Sequence, residues 1–346
     1  LMPFDMGGTS TDVALLDGDI RLTQQGHIGP YPVAVPMVDM HTIGAGGGSL
    51  AYVDDAGLLH VGPQSAGADP GPACYGKGGQ QVTVTDANVV LGRLQPDFAL
   101  GGSLALDVPA AEQAMDRLAQ ALGLTRQQAA DGVLALANEH MTQALRVISI
   151  QKGFDPADFA LMSFGGAGGL HVCALADNLG MTQAIVPQRA GVLSAEGLVY
   201  APRKREMLQA LPEQIDEPLL HERIAQLQQQ GQAELIAEGV SADRIRHRVF
   251  VDMCYRGQSS VLQIDWEPTL ADRETGFHTA HQQRFGHQLG LPVEQVNLRV
   301  QSQAQNSPPA QPDRHTRSAS AERLITLPGI DTPVAVYNRE SLGAGQ

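Results

Sequence analysis

A chain of 346 residues, 43% of them hydrophobic, is long enough to bury a sizeable core in one large domain or two smaller ones. Its formal net charge of −14 argues against binding to nucleic acids or anionic membranes, because both attract basic surfaces. No apolar run approaches the roughly 18 residues that a membrane-spanning helix needs. The three cysteines are odd in number and widely spaced, so we expect free thiols and a cytoplasmic location.

The chain begins with a pattern typical of two strands joined by a Gly-rich turn, over residues 4–23. The second strand ends at Asp17-Gly18-Asp19, which predicts a tight hairpin turn. Strand-like segments continue over residues 31–60, and a Gly-rich run interrupts them at residues 44–48. A loop rich in Pro and Gly follows over residues 62–79, and loops of this length are usually functional or disordered.

The next segment predicts helices. The first covers residues 108–123, and a second begins after Thr125, which forms a capping-box pair with Gln128. Its apolar residues recur at helical spacing on one face: Val133, Ala137, Met141, Leu145 and Ile148. An α/β pattern of strand, Gly-rich loop, helix and strand follows, at residues 159–163, 165–169, 170–179 and 184–186.

A change in composition after Pro202 predicts a boundary between two domains, residues 1–202 and 203–346. The second domain has alternating predicted elements: a helix over 218–238, strands over 248–255 and 261–264, a helix over 277–285 and a strand over 296–300. Residues 305–320 are rich in Pro, Ser, Gln and Arg and are predicted to be a loop or linker.

The turn after the first strand has the residue types of a phosphate site. It contains Asp5, Gly7, Gly8, Thr9, Ser10, Thr11 and Asp12. The glycines allow the backbone to approach an anion, and the N–H and hydroxyl groups can bind phosphate oxygens. Either carboxylate is suited to Mg²⁺, held partly through water. The alternative is a hairpin turn with Ser and Thr on a solvated edge, and the spacing alone leaves both interpretations open.

The Gly-Gly-Thr-Ser-Thr-Asp segment resembles the second phosphate motif of actin-like ATPases, and it is most similar to that of the hydantoinase A/5-oxoprolinase family. Further blocks resemble this family in the same order, at residues 38–49, 61–76, 85–88 and 163–171. The resemblance covers residues 2–202 and continues less specifically after them. It implies an actin-like (ribonuclease H-like) ATPase lobe, with a mixed sheet flanked by helices, followed by a smaller α+β region.

This resemblance implies ATP-dependent chemistry at a carbonyl group. Family members open or carboxylate 5-oxoproline, hydantoins or ketones, and the expected shared step is phosphorylation of a carbonyl or enolate oxygen. The expected cofactors are ATP and Mg²⁺, the expected substrate is a cyclic amide or a ketone, and the expected partner is a hydantoinase B-like subunit or domain. No second Asp-x-Gly-Gly-Thr turn occurs in the chain, so we expect it to lack the family's first lobe and to be inactive alone.

Two further Gly-rich loops are predicted to contact the nucleotide. One contains Gly46, Gly47 and Gly48, and the other, which resembles an adenosine motif, contains Gly165, Gly166 and Gly168. The second precedes a predicted helix, whose N-terminus favours anions. We predict that both loops meet the first turn at one cleft.

Asp39 and His41 lie at i and i+2 of a predicted strand and therefore share a face. A carboxylate beside an imidazole suits general-base or metal chemistry, so Asp39 and His41 are predicted catalytic residues, as is Asp12 of the first turn. The alternative is that they are polar residues of a structural strand. His171 is more typical of a cap or a core edge, and Asp86 either faces the site or caps a turn.

Three functions are compatible with these patterns. The first is a lobe of an ATP-dependent enzyme, and the second is a non-catalytic actin-like module that binds nucleotide and assembles with a partner. The third is a structural α/β domain whose glycines serve packing alone. The acidic and hydroxyl residues inside the turns favour the first two.

Overall fold

A computed structural model describes residues 1–23, 26–28, 31–33, 37–96, 104–305, 321, 323–327, 330, 332–337 and 342. It has two structural units, Leu1–Glu196 with Pro312–Gln346, and Gly197–Gln311. The domain boundary near residue 203 stays a prediction. All but the first residue of the predicted linker at 305–320 lie outside the described residues.

The described strands, in chain order, are β1 (Met2–Met6), β2 (Thr11–Ala14), β3 (Leu16–Asp17), β4 (Asp19–Ile20), β5 (Leu22–Thr23), β6 (Gly26–Ile28), β7 (Tyr31–Val33), β8 (Met37–Val38), β9 (Met40–Ile43), β10 (Ser49–Val53), β11 (Leu59–Ser65), β12 (Val82–Thr83), β13 (Leu161–Phe164), β14 (Ala184–Ile185), β15 (Lys204–Ala210), β16 (Ile245–Tyr255), β17 (Leu262–Asp265), β18 (Val293–Ala304), β19 (Arg323–Ile325) and β20 (Val334–Val336). The α-helices are α1 (Val84–Val90), α2 (Val108–Leu122), α3 (Arg126–Ile148), α4 (Val172–Leu179), α5 (Leu193–Tyr200), α6 (Glu217–Ala237) and α7 (Leu270–Phe285).

A five-stranded mixed sheet, in the order β14-β13-β1-β2-β9, forms the centre of the first unit. β1 is parallel to β13 and antiparallel to β2, and β2 is antiparallel to β9. The side chains of β1 alternate between two faces. Met2, Phe4 and Met6 are fully buried in the same core as Met141 of α3, whereas Asp5 is half-buried on the opposite face.

The long helix α3 confirms the helical prediction. Thr125 and Gln128 form both hydrogen bonds of the capping box, and the five residues of the predicted apolar stripe are all buried. The stripe packs α3 against the central sheet, so this helix covers the face opposite Asp5. The predicted long loop after residue 62 is shorter than expected, because β11 continues to Ser65.

The second unit contains a four-stranded antiparallel sheet in the order β15-β18-β16-β17. α6 packs on this sheet through Leu227 against Leu298, and α7 packs through Phe277 against Val251. Both predicted helices are present, and α7 begins seven residues earlier than predicted.

Mixed α/β structure is therefore confirmed. No helix among the described residues is both long and apolar enough to cross a membrane. The cysteines Cys74, Cys173 and Cys254 are all free thiols, as expected. Cys74 and Cys254 are buried and Cys173 is exposed. Burial, assisted by the nearby Asp86 carboxylate, raises the pKa of the Cys74 thiol.

Candidate functional site

The three Gly-rich loops pack directly against one another. The N–H groups of Gly47 and Gly48 donate to the carbonyl oxygens of Gly7 and Gly8, at 3.0 and 2.6 Å, and the N–H of Ala167 donates to Met6 at 3.0 Å. Because β1 and β13 are parallel, the loops that follow them emerge at the same edge of the sheet. The predicted meeting of these loops is observed.

Five of the predicted glycines lie where a Cβ would collide with an atom of a neighbouring segment. A Cβ at Gly46 would lie 2.5 Å from the Thr9 nitrogen, and one at Gly48 would lie 2.8 Å from the Gly8 oxygen. Gly165 has φ +81°, and its Cβ would lie 2.4 Å from the Met6 oxygen. A Cβ would also meet a side-chain oxygen at the other two positions, Gly47 and Gly168. Packing within the chain accounts for these five glycines.

The other three predicted glycines have no such explanation. A Cβ at Gly7, Gly8 or Gly166 would meet no atom within 4 Å, and none of the three has a backbone conformation that requires glycine. Within the described part of the chain, the N–H groups of Gly8, Thr9 and Ser10 donate to no oxygen. Adjacent unpaired backbone N–H groups of this kind are suited to binding an anion.

Two carboxylates lie beside this turn. Asp5 and Asp12 are directly opposite each other on β1 and β2. Each accepts a hydroxyl hydrogen bond, Asp5 from Ser194 at 2.9 Å and Asp12 from Thr42 at 2.5 Å. Neither forms an ion pair with any described residue. Like charges in this arrangement repel, so the pair is suited to a cation.

The donor set fits Mg²⁺ better than a metal held by protein ligands alone. Among the described residues, no group of three acidic, His or Cys side chains could hold a metal ion. Mg²⁺ is commonly bound by one or two carboxylates, with water and phosphate oxygens completing the octahedron. A cavity of about 380 Å³, lined partly by Met40, Phe164 and Leu193, lies next to the two carboxylates and leaves room for such ligands.

The predicted catalytic residues do not form one group. In the β2–β9 pair, Asp12 is opposite Thr42 and His41 is opposite Val13. Adjacent positions of a strand point to opposite faces, so Asp12 and His41 lie on different sides of the sheet. Asp39 is ion-paired with Lys152, with 2.6 Å between Oδ2 and Nζ.

Two other candidates have structural partners. The fully buried Asp86 completes the capping box of α1 and accepts the N–H groups of Ala73 and Cys74, at 3.2 and 2.8 Å. His171 is 1% exposed, and its Nδ1 lies 2.7 Å from Oδ1 of Asn138. Burial lowers the pKa of His171 to about 4, and Arg93 contributes, so the imidazole is neutral near pH 7.

Sequence reasoning missed Thr42 and Ser194, which orient the two carboxylates. Thr42 was detectable only through the register of β9 on β2, which joins positions 30 residues apart. Ser194 is 189 residues from Asp5, and no local signal links them.

Comparison with known protein families identifies the family of this chain. Residues 1–206 match the family model described as Hydantoinase/oxoprolinase, so the chain belongs to the hydantoinase/oxoprolinase family. The family resemblance noted in the sequence is therefore confirmed.

Particular relatives extend this result. The chain is 38% identical to caprolactamase subunit alpha of Pseudomonas jessenii, over 99% of this chain and 52% of the relative. It is 33% identical to 5-oxoprolinase of Dictyostelium discoideum, over 87% of this chain and 25% of the relative. A nucleotide-free structure of acetone carboxylase, from work on ATP-dependent acetone carboxylation, matches with a TM-score of 0.82 at 27% identity, over 99% of this chain and 52% of that one. The chain thus spans about half, or less, of the length of these relatives.

Proposed function

We propose that this chain is a nucleotide-binding lobe of an ATP-dependent enzyme that activates a small lactam, hydantoin or ketone by phosphorylating its carbonyl oxygen. Hydrolytic ring opening or carboxylation would follow. The names of the relatives, which include a lactamase, an oxoprolinase and an ATP-dependent carboxylase, support this class of reaction. One observation carries the proposal: at one edge of the sheet, three N–H groups that have no partner among the described residues lie beside two opposed carboxylates.

The lobe is proposed to be of the actin-like (ribonuclease H-like) type. The order of the central sheet supports this assignment. Three neighbouring strands of the sheet, β1, β2 and β9, are antiparallel, and β13 and β14 are added in parallel on the other side of β1. Domains of residues 1–202 and 203–346 remain part of the proposal, as does a cytoplasmic location.

In this proposal the N–H groups of Gly8, Thr9 and Ser10 bind phosphate oxygens, and the open face of Gly166 accepts the adenosine part. Asp5 and Asp12 hold Mg²⁺, with Ser194 and Thr42 fixing the carboxylate orientations. Bound Mg²⁺ supplies charge neutralisation on the phosphate oxygens. The hydroxyl groups hold the carboxylates in place before the ligand arrives, so less reorganisation is needed on binding.

The remaining parts of the enzyme are also proposed. A first lobe would close over the phosphates from the other side and exclude water. A hydantoinase B-like subunit or domain would complete the reaction, and the subunit designation of the caprolactamase relative supports a partner.

The test uses the full-length protein with its partner subunit and measures phosphate release with Mg²⁺ and a lactam or ketone. Asp12→Ala should lower turnover by about 100-fold or more, the usual effect of removing one preorganised charged group. Asp55→Ala, at an exposed aspartate in the β10–β11 turn, is the matched control and should retain activity. Unchanged turnover in a folded Asp12→Ala enzyme would remove the basis for assigning this turn to phosphate binding.

A further inference from the structure

A second cavity, of about 480 Å³, is lined by α3 and by the β10–β11 hairpin. It has no lining residue in common with the cavity beside the two carboxylates. Its walls are mainly apolar, as at Leu59 and Leu136, and they contain no Lys or Arg. The polar groups include two imidazoles, His60 and His140. Small-molecule sites typically have this size and this mixture of apolar walls with a few polar groups.

The His60 imidazole is held on two sides. It is paired across the strands with Tyr52, and the two rings stack with centroids 5.3 Å apart and planes 19° apart. Its Nε2 lies 2.7 Å from Oδ2 of Asp54. The other oxygen of Asp54 accepts the N–H groups of Ala56 and Leu58, each at 2.9 Å. The ring is therefore anchored before any ligand binds.

These contacts define the hydrogen-bonding character of the ring. Hydrogen bonds from the Leu58 N–H and from His60 lower the pKa of the Asp54 carboxyl, so it is ionised and accepts hydrogen bonds only. Nε2 of His60 must then carry the proton, and in the neutral ring Nδ1 is an acceptor. Nδ1 of His60 receives no hydrogen bond from the described residues.

We propose that this cavity is a second small-molecule site, which binds a compact apolar molecule with one N–H or O–H group directed at Nδ1 of His60. The apolar walls favour the body of such a molecule, and the anchored acceptor selects its donor group. The absence of Lys and Arg from the walls disfavours phosphates and other polyanions. This inference does not depend on nucleotide binding at the Gly-rich turn.

The test uses the 346-residue chain at about pH 8, where an ordinary imidazole is neutral. Three probes of similar size are compared: phenol, which has an O–H donor, toluene, which has no polar group, and benzaldehyde, which has a carbonyl acceptor. Ligand-observed NMR titrations give their affinities. The phenol-to-toluene affinity ratio is compared between variants, because general differences in hydrophobicity cancel. The ratio should be about fivefold higher in the wild type than in His60→Phe, because one net hydrogen bond contributes about 1 kcal/mol to the binding free energy.

Asp54→Asn tests the tautomer argument with an almost isosteric change. The asparagine NH₂ would donate to Nε2 of His60, which moves the ring proton to Nδ1 and converts the acceptor into a donor. The benzaldehyde-to-phenol affinity ratio should then rise about fivefold over the wild type. A hairpin that served only as structure would leave both ratios unchanged.

Two controls locate the binding. Leu136→Trp should fill the cavity and abolish binding of all three probes. His221→Phe, at an exposed histidine of α6, should leave every ratio unchanged. Circular dichroism spectra establish that each variant is folded. The proposal is overturned if no probe binds the wild type, if binding survives in folded Leu136→Trp, or if both ratios are insensitive to His60→Phe and Asp54→Asn.

Discussion

Alanine substitutions at Gly46 and Gly8 should have opposite effects on stability, although both glycines belong to the candidate phosphate site. A Cβ at Gly46 would lie 2.5 Å from the Thr9 nitrogen and 2.6 Å from the Gly8 carbonyl carbon. These are backbone atoms of the turn, and they cannot rotate away as a side chain can. A Cβ at Gly8 would meet nothing within 4 Å.

The magnitudes follow from these contacts. Ordinary contacts of a Cβ begin near 3.4 Å, so Gly46→Ala requires the turn to move by almost 1 Å. Overpacking of this kind costs about 1–3 kcal/mol, and a rigid backbone neighbour favours the upper end. Gly8→Ala instead restricts the unfolded chain and should stabilise the fold by about 0.4–1 kcal/mol. In the full-length protein, however, Gly8→Ala should weaken ATP binding, because the methyl group occupies the space proposed for phosphate.

Urea unfolding distinguishes these effects. Far-UV circular dichroism follows the whole chain, whereas the single tryptophan, Trp266, reports on the second unit. With a typical urea m-value of about 2 kcal/mol/M, a cost of about 2–3 kcal/mol for Gly46→Ala should lower the first unit's midpoint by about 1–1.5 M. The Trp266 fluorescence midpoint serves as the internal control. If Gly8→Ala lost as much stability as Gly46→Ala, the turn glycine would be a folding requirement, and the open space would not indicate a ligand.

Three further outcomes are expected. The 346-residue chain alone should release no phosphate from ATP, because one lobe leaves the phosphates exposed to water; steady ATPase activity would contradict the two-lobe proposal. The depressed pKa of His171 means that the unfolded chain binds a proton more readily, so stability is lost as the pH falls from about 6.5 towards 4. Protonation of this group should lower the free energy of unfolding by about 2 kcal/mol between pH 7.5 and pH 5. Urea unfolding at the two pH values measures this loss, which should disappear in His171→Asn and persist in His140→Gln, the control at an exposed histidine. A Cβ at Gly231 would lie 2.3 Å from Ser302 Oγ, so Gly231→Ala should lower the Trp266 fluorescence midpoint, and Ser302→Gly should restore part of it; no loss in the single variant would refute this packing argument.

Elements with local signals were predictable from the sequence. α3 has a capping box at Thr125 and an apolar stripe within a single helix, so its start and its buried face both follow from neighbouring residues. The placement of Asp12 and His41 on opposite faces of the sheet was not predictable from local signals. The spacing of residues along one strand says which of them share a face, but it does not give the register of that strand on its neighbour. That register, Asp12 opposite Thr42, depends on tertiary packing.

The glycines show the same limit at the candidate site. In the sequence, Gly8 and Gly46 have the same apparent role, because both lie in Gly-rich loops of one recognisable family. Their difference depends on which atoms approach each Cα, and those atoms come from segments nearly 40 residues apart. The meeting of the loops was predictable from the order of the motifs, whereas the division between supporting and open glycines depends on tertiary contacts.

The loop over residues 44–48 has two neighbours at once. Its first two residues line the 480 Å³ cavity, and its last two, Gly47 and Gly48, support the Gly-rich turn through main-chain hydrogen bonds to Gly7 and Gly8. The position of the turn is therefore specified by atoms that every amino acid possesses, with glycine required at the close contacts. Side chains around the cavity are free to diverge in evolution without moving the turn. A lineage can thus change the lining of the cavity while it keeps the backbone arrangement to which we assign anion binding.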